Sequence, residues 1–110
     1  MIRAIIIDDE KHCSESLALL IEKYVPEITI EAELNDSVEA VDVLINKKPD
    51  LVFLDIEMPR MNGFDLLKSL PAIDFEIIFT TAYDDFAIQA FKVSAIDYLL
   101  KPIERDELTQ

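Results

Sequence analysis

Taken as apolar and polar positions alone, the chain switches repeatedly between two periods. Ala4-Ile5-Ile6-Ile7 and Leu51-Val52-Phe53-Leu54 are short unbroken apolar runs, and Glu76-Ile77-Ile78-Phe79-Thr80-Thr81 is nearly one. Runs of this length bounded by turn residues predict strands buried on both faces, the kind found in parallel sheets. Ile28, Ile30, Ala32 and Leu34 alternate instead with Thr29, Glu31 and Glu33, which predicts a strand with one polar face, at an edge. Between the strands the spacing becomes helical. Lys11 to Tyr24 places Cys13, Leu17, Leu20 and Tyr24 on one stripe with Ile21 alongside, and Pro26 forbids continuation. Asp36-Ser37-Val38-Glu39 has the acceptor and the acid that start a helix, Val38, Val41, Leu44 and Ile45 supply its stripe, and Lys47-Lys48-Pro49 ends it.

A third, short helix is expected over Asn62 to Leu70, burying Phe64, Leu67 and Leu70, with Pro71 just after it. A fourth follows from about Asp84 to Val93, burying some of Phe86, Ala87, Ala90 and Phe91. Asp97 to Leu100 reads as a fifth strand, and Glu104 opens a fifth helix. That helix has about two turns before Gln110, against an ordinary length of ~11 residues. The natural chain is therefore expected to continue. Regular alternation of strand and helix argues for a parallel sheet sandwiched between helices.

At 110 residues the expectation is one domain. A hydrophobic share of 51% with 30% charged places the chain among ordinary globular proteins. Its apolar runs fall far short of the ~20 residues that span a bilayer. Met1-Ile2-Arg3 leads straight into the first strand, leaving no room for a signal peptide. A single cysteine, Cys13, cannot form an internal disulfide and suits a reducing cytoplasm. Ten basic residues against twenty-three acidic ones give a net charge of −13, which repels nucleic acid. Any action on DNA would belong to another domain.

The candidate chemistry sits at strand ends. Asp55 closes the third strand, where open α/β sheets bind ligands. Asp also starts turns well, and taken alone that plainer reading would prevail. A second acidic strand end, Asp8-Asp9, and a cation after the fifth strand, Lys101, tip the balance. Asp8, Asp9 and Asp55 converge if strands one and three are neighbours, and carboxylates gathered in a cleft call for a cation. Mg²⁺ suits all-oxygen ligands and keeps several waters, so two or three carboxylates or carbonyls suffice. Lys101 can meet a phosphoryl oxygen as a point charge, and Thr80 and Thr81 offer hydroxyls. Together these make a site for placing phosphate on a carboxylate. His12 and the methionines Met58 and Met61 read as surface and loop-packing residues respectively.

On Asp8-Asp9, Leu54-Asp55-Ile56-Glu57-Met58-Pro59, Thr81-Ala82 and Lys101-Pro102, the whole chain resembles the receiver domain of bacterial two-component response regulators. Thr81-Ala82-Tyr83 with Phe86-Ala87-Ile88-Gln89-Ala90-Phe91, and Ala95 to Pro102, look like the subclass whose receivers precede a LytTR-type DNA-binding domain. The resemblance implies a flavodoxin-like, doubly wound five-stranded parallel sheet of order 2-1-3-4-5 with helices on both faces. Residues 1–110 would be one receiver, its output domain lying outside this chain. It further implies that Asp55 accepts a phosphoryl group from a sensor histidine kinase. Asp9, Asp55 and the main-chain carbonyl of Glu57 would ligate Mg²⁺, with Asp8 helping through water. Lys101 would pair with the phosphoryl group, Thr81 would swing to bond it, and Tyr98 would move inward, altering the face made by helix four, strand five and helix five. Members of the family often dimerise through that face; the sequence leaves the oligomeric state of this chain open. The implied role is regulatory rather than enzymatic, in the cytoplasm, with no membrane and no direct nucleic acid contact.

Asp97 departs from the Gly that many receivers carry there, although the LytTR-linked subclass commonly has Asp. Glu57 and Tyr83, each two residues beyond a motif residue, are expected to border the path of attacking water and slow loss of phosphate from Asp55. A haloacid-dehalogenase-type phosphatase also uses an aspartyl nucleophile, but its Asp-x-Asp-x-Thr signature is not met, since Asp55 is followed by Glu57 and Pro59. A receiver-like module that never takes phosphate typically lacks one of the acids or the lysine, and all are present. A flavodoxin would need a Ser/Thr/Gly-rich phosphate loop after strand one, and Gly63 is the sole glycine.

Overall fold

Both faces of the first strand are covered, which is why its sequence is aliphatic at every position from 4 to 7. The computed structural model describes residues 2–81 and the strand formed by 97–100. Its elements are β1 (Ile2–Ile7), α1 (Lys11–Tyr24), β2 (Ile28–Leu34), α2 (Ser37–Lys47), β3 (Leu51–Asp55), α3 (Gly63–Lys68), β4 (Glu76–Thr81) and β5 (Asp97–Leu100). The five strands form one sheet in the order β2-β1-β3-β4-β5. Every described pairing is parallel. The expected flavodoxin-like arrangement is therefore the one observed, with the alternating strand β2 at an edge. The fourth and fifth expected helices lie outside the described residues.

Strand alternation divides the core in two. Ile5, Ile7, Val52, Leu54, Ile77 and Phe79 point to the side covered by α2 and α3, where they meet Ala40, Leu44, Leu66 and Leu67. Ala4, Ile6, Leu51 and Phe53 point the other way and meet Leu17 and Ile21 of α1. Phe64 of α3 lies against Phe79 of β4, ring centroids 5.0 Å apart and tilted by 54°. That offset geometry adds roughly 0.5–1.5 kcal/mol beyond burial.

Three helix faces differ from expectation. In α1 the buried residues are Ser14, Leu17 and Ile21, so the stripe is turned by one residue from Cys13, Leu20 and Tyr24. Ser14 tolerates burial because its hydroxyl donates to the Lys11 carbonyl and accepts from Asn35 Nδ2. In α2 the buried residues are Ser37, Ala40 and Leu44, while Val38 and Ile45 stay exposed. The α3 helix stops at Lys68 and buries Leu66 and Leu67, leaving Phe64 and Leu70 only partly covered. Both α2 and α3 have side-chain caps, Asp36 accepting from the Val38 amide and Asn62 sharing a reciprocal capping box with Asp65. Among the described residues no helix is long and apolar enough to cross a membrane.

Candidate functional site

At the carboxyl ends of the central strands the chain can no longer pair, and its polar groups turn into a crevice. Ala4 to Ile7 of β1 pair with Leu51 to Leu54 of β3, so the two strands finish level with each other. Asp8 and Asp9 follow directly on one, and Asp55 ends the other. The result is a cluster in which one carboxylate oxygen from each of Asp8, Asp9 and Asp55 lies within 4.8 Å of the others. Asp8 and Asp55 are buried, at 4% and 2% exposure, and Asp9 is half-buried. At that separation and an effective dielectric constant near 20, each pair of charges repels by roughly 3–4 kcal/mol.

Such a concentration of charge suits a cation. All the donors are oxygen, which selects a hard ion over a soft one. An octahedral ion of magnesium's size holds oxygens about 2.0–2.1 Å away, so opposite ligands stand about 4.2 Å apart. Ligands on adjacent vertices stand closer, about 2.9 Å apart, so carboxylates already within 4.8 Å of one another can draw in around such an ion. The donor set therefore fits a hard divalent ion.

Several backbone bonds hold the acids in place. The Glu10 amide donates to Asp8 Oδ1 at 2.9 Å, and the Asp8 amide donates to the Leu34 carbonyl at 2.9 Å. Asn35 Nδ2 donates to the Asp8 carbonyl at 2.7 Å and to Ser14 Oγ at 3.1 Å, tying the acid pair to β2 and α1 together. On the other strand, the Glu57 amide donates to Asp55 Oδ1 at 3.3 Å and the Ile56 amide to the Thr80 carbonyl at 3.1 Å. Glu57 itself is exposed.

Past Asp55 the chain folds back sharply. Gly63 closes the loop by donating its amide to the Ile56 carbonyl at 2.8 Å. A Cβ at Gly63 would stand 2.7 Å from the Asp55 carbonyl oxygen, so a side chain cannot fit there without moving the backbone of β3. Arg60 adopts a left-handed φ of 68° and its guanidinium donates to Asp36 Oδ1 at 2.9 Å, while Ser37 Oγ donates to the Pro59 carbonyl at 3.5 Å. The Val38 amide, joined by the Arg60 charge, holds the Asp36 carboxyl below its ordinary pKa. The two methionines behave as expected: Met58 is buried in the core and Met61 packs against it.

Of the residues singled out from sequence, Asp8, Asp9 and Asp55 come together. On β4, Thr80 pairs with Asp55 and Thr81 lies one residue beyond, both fully buried. Tyr98 lies in β5 paired with Phe79, but its side chain is outside the described residues. Lys101 and Tyr83 also lie outside them. His12 is exposed, as expected. Asn35, Ser14 and Gly63 were not singled out as site residues. Only Gly63 left a signal, as the one glycine in a chain of 110 residues.

Comparison with known proteins gives a consistent result. Residues 4–110 match the response regulator receiver domain family. The sensory transduction protein LytT of Enterococcus faecalis is 41% identical over 108 residues, covering 96% of this chain and 44% of that protein. The transcriptional regulatory protein BtsR of Salmonella typhi is 42% identical over 109 residues, covering 98% and 45%. Among solved structures, the response regulatory domain of protein mrkE from Klebsiella pneumoniae superimposes with a TM-score of 0.86 at 30% identity, covering 96% of this chain and 88% of that one. The chain thus spans less than half the length of these curated relatives.

Proposed function

The chain belongs to the response regulator receiver domain family of two-component signalling, and from that premise we propose that Asp55 accepts a phosphoryl group from the phosphohistidine of a sensor histidine kinase. One observation carries the reading: Asp8, Asp9 and Asp55 converge at the level ends of two adjacent parallel strands. A carboxylate oxygen of Asp55 attacks phosphorus as the bond to the histidine nitrogen breaks, and the imidazole leaves with the electron pair. Asp9, Asp55 and the Glu57 carbonyl would ligate Mg²⁺, with Asp8 reaching it through water. When bound, the ion neutralises charge on the transferred group and keeps it in line with its acceptor.

Lys101 pairs with the phosphoryl group once it is attached, and the Thr81 hydroxyl donates to it. Tyr98 then turns inward, and the face formed by helix four, strand five and helix five changes shape, a bistable element biased by a local charge. That face serves homodimerisation and output. The output is a LytTR-type DNA-binding domain following this chain, a reading supported by the likeness to the transcriptional regulatory protein BtsR and by the chain covering under half the length of LytT and BtsR. With a net charge of −13 the receiver itself leaves DNA to that domain. The chain acts as a cytoplasmic phosphoacceptor that promotes only its own phosphorylation and dephosphorylation.

Acetyl phosphate with Mg²⁺, read by intact mass, tests the proposal. The unaltered chain should gain one phosphoryl group, and Asp55→Asn or excess EDTA should prevent it. Phosphorylation that persists in Asp55→Asn would place the acceptor elsewhere, and sustained turnover of a generic phosphate ester would point to a phosphatase.

A further inference from the structure

A second group of metal-ligating side chains lies outside the carboxylate site. Glu10, His12 and Cys13, at the start of α1, each offer one donor atom, and the three atoms lie within 4.8 Å of one another. His12 Nε2 stands 3.6 Å from Cys13 Sγ and 3.5 Å from Glu10 Oε2. A tetrahedral zinc ion bonds sulfur at about 2.3 Å, nitrogen at about 2.05 Å and oxygen at about 2.0 Å, which sets S and N about 3.6 Å apart and N and O about 3.3 Å apart. Two edges of the triangle already match that figure. The third edge, sulfur to oxygen, lies within the 4.8 Å bound, and the Glu10 side chain, 55% exposed, has room to adjust it.

The turn that presents these donors is already built. The amides of Cys13 and Ser14 both donate to the Glu10 carbonyl, at 3.0 and 3.2 Å, and the Glu10 amide is held by Asp8. Lys11, between Glu10 and His12 in the chain, is engaged with Glu15 at 3.9 Å. The donor chemistry differs from that of the neighbouring acids. Sulfur and imidazole nitrogen select a borderline-soft ion, whereas three carboxylates select a hard one, so the two clusters sort cations by softness.

We propose that Glu10, His12 and Cys13 form a binding site for a transition-metal dication of the zinc class, with water in the fourth position. The ion takes up the Cys13 thiolate and neutral imidazole, so binding releases the thiol proton. Nothing in this requires phosphorylation of Asp55, and the two readings fail separately.

Co²⁺ is the probe, titrated into the full chain under a non-chelating reductant with excess Mg²⁺ to occupy the carboxylate site. One equivalent should produce a thiolate-to-cobalt charge-transfer band. Cys13→Ser should abolish the band and His12→Ala should weaken binding more than about tenfold, since even outer-shell partners are worth that much. Asp9→Asn should leave it unchanged. On the unaltered chain, Zn²⁺ should slow alkylation of Cys13 by iodoacetamide while Mg²⁺ does not. The proposal is overturned by absence of the band, by alkylation indifferent to Zn²⁺, or by Co²⁺ binding that survives Cys13→Ser and vanishes in Asp9→Asn.

Discussion

Gly63→Ala adds one methyl group where the chain has no space for it. The new Cβ would meet the Asp55 carbonyl oxygen at 2.7 Å, Ile56 Cα at 3.1 Å and Leu54 Cγ at 3.3 Å. The first two belong to backbone, so no side-chain rotation relieves the overlap. Alanine brings an opposing gain of up to about 1 kcal/mol, because Gly63 opens α3 and glycine loses more chain entropy on folding. Overpacking a close-packed site costs typically about 1–3 kcal/mol. Here it falls on backbone that cannot yield without moving the strand, so the cost should be in the upper part of that range. The net is a loss of about 1–2 kcal/mol, or a midpoint lowered by roughly 5–15 °C for a domain of this size. Because Asp55 itself supplies the contact, its carboxylate must shift too, and phosphorylation by acetyl phosphate should slow. Urea unfolding and time-resolved intact mass read the two effects, and Gly63→Ser, with the same Cβ, should lose stability comparably. A Gly63→Ala protein as stable as the unaltered one and phosphorylated at the same rate would refute the argument.

Two other outcomes test the packing and the charge. Leu66→Ala, fully buried between α3 and the sheet, should cost about 2–5 kcal/mol in urea unfolding, whereas Val38→Ala, 48% exposed on α2, should stay within about 0.5 kcal/mol; similar losses at both would contradict the helix faces described. Asp36→Asn keeps the cap but removes the charge that the Val38 amide and Arg60 favour. A carboxyl depressed in the folded state adds stability above its unfolded pKa, near 4, and loses it as pH falls through the lower folded value. The stability gap between the unaltered chain and Asp36→Asn should therefore shrink as pH drops below about 4, and a gap constant with pH would count against the pairing.

Strands were legible in the sequence because parallel, doubly covered strands leave an unbroken apolar mark, and β3 and β4 begin and end where the runs do. Asp8, Asp9 and Asp55 were legible for the same reason: a carboxylate directly after such a run has nowhere to go but the sheet's rim. Helix faces were harder. Leu17 to Ile21 are all apolar, so a period of 3.6 fits several rotations, and Ser14 decides among them only through Asn35, twenty-one positions away. In α2 the small residues Ser37 and Ala40 take the inside because they let the helix lie close to the sheet, while Val38 faces out. Asn35 reads as loop because its bond to the Asp8 carbonyl crosses between strands. Side-chain partners of this kind have no local signature.

Pairing of β1 with β3 has a consequence for how the molecule comes apart. Ala4 and Leu51 are neighbours in the sheet though 47 positions separate them (51 − 4), with a helix, an edge strand and a second helix between. No fragment shorter than that interval can bring Asp8 and Asp55 together. Capacity to take up phosphate should then never outlast hydrogen-exchange protection at Ile5 to Ile7 and Val52 to Leu54, whose loss separates the acids.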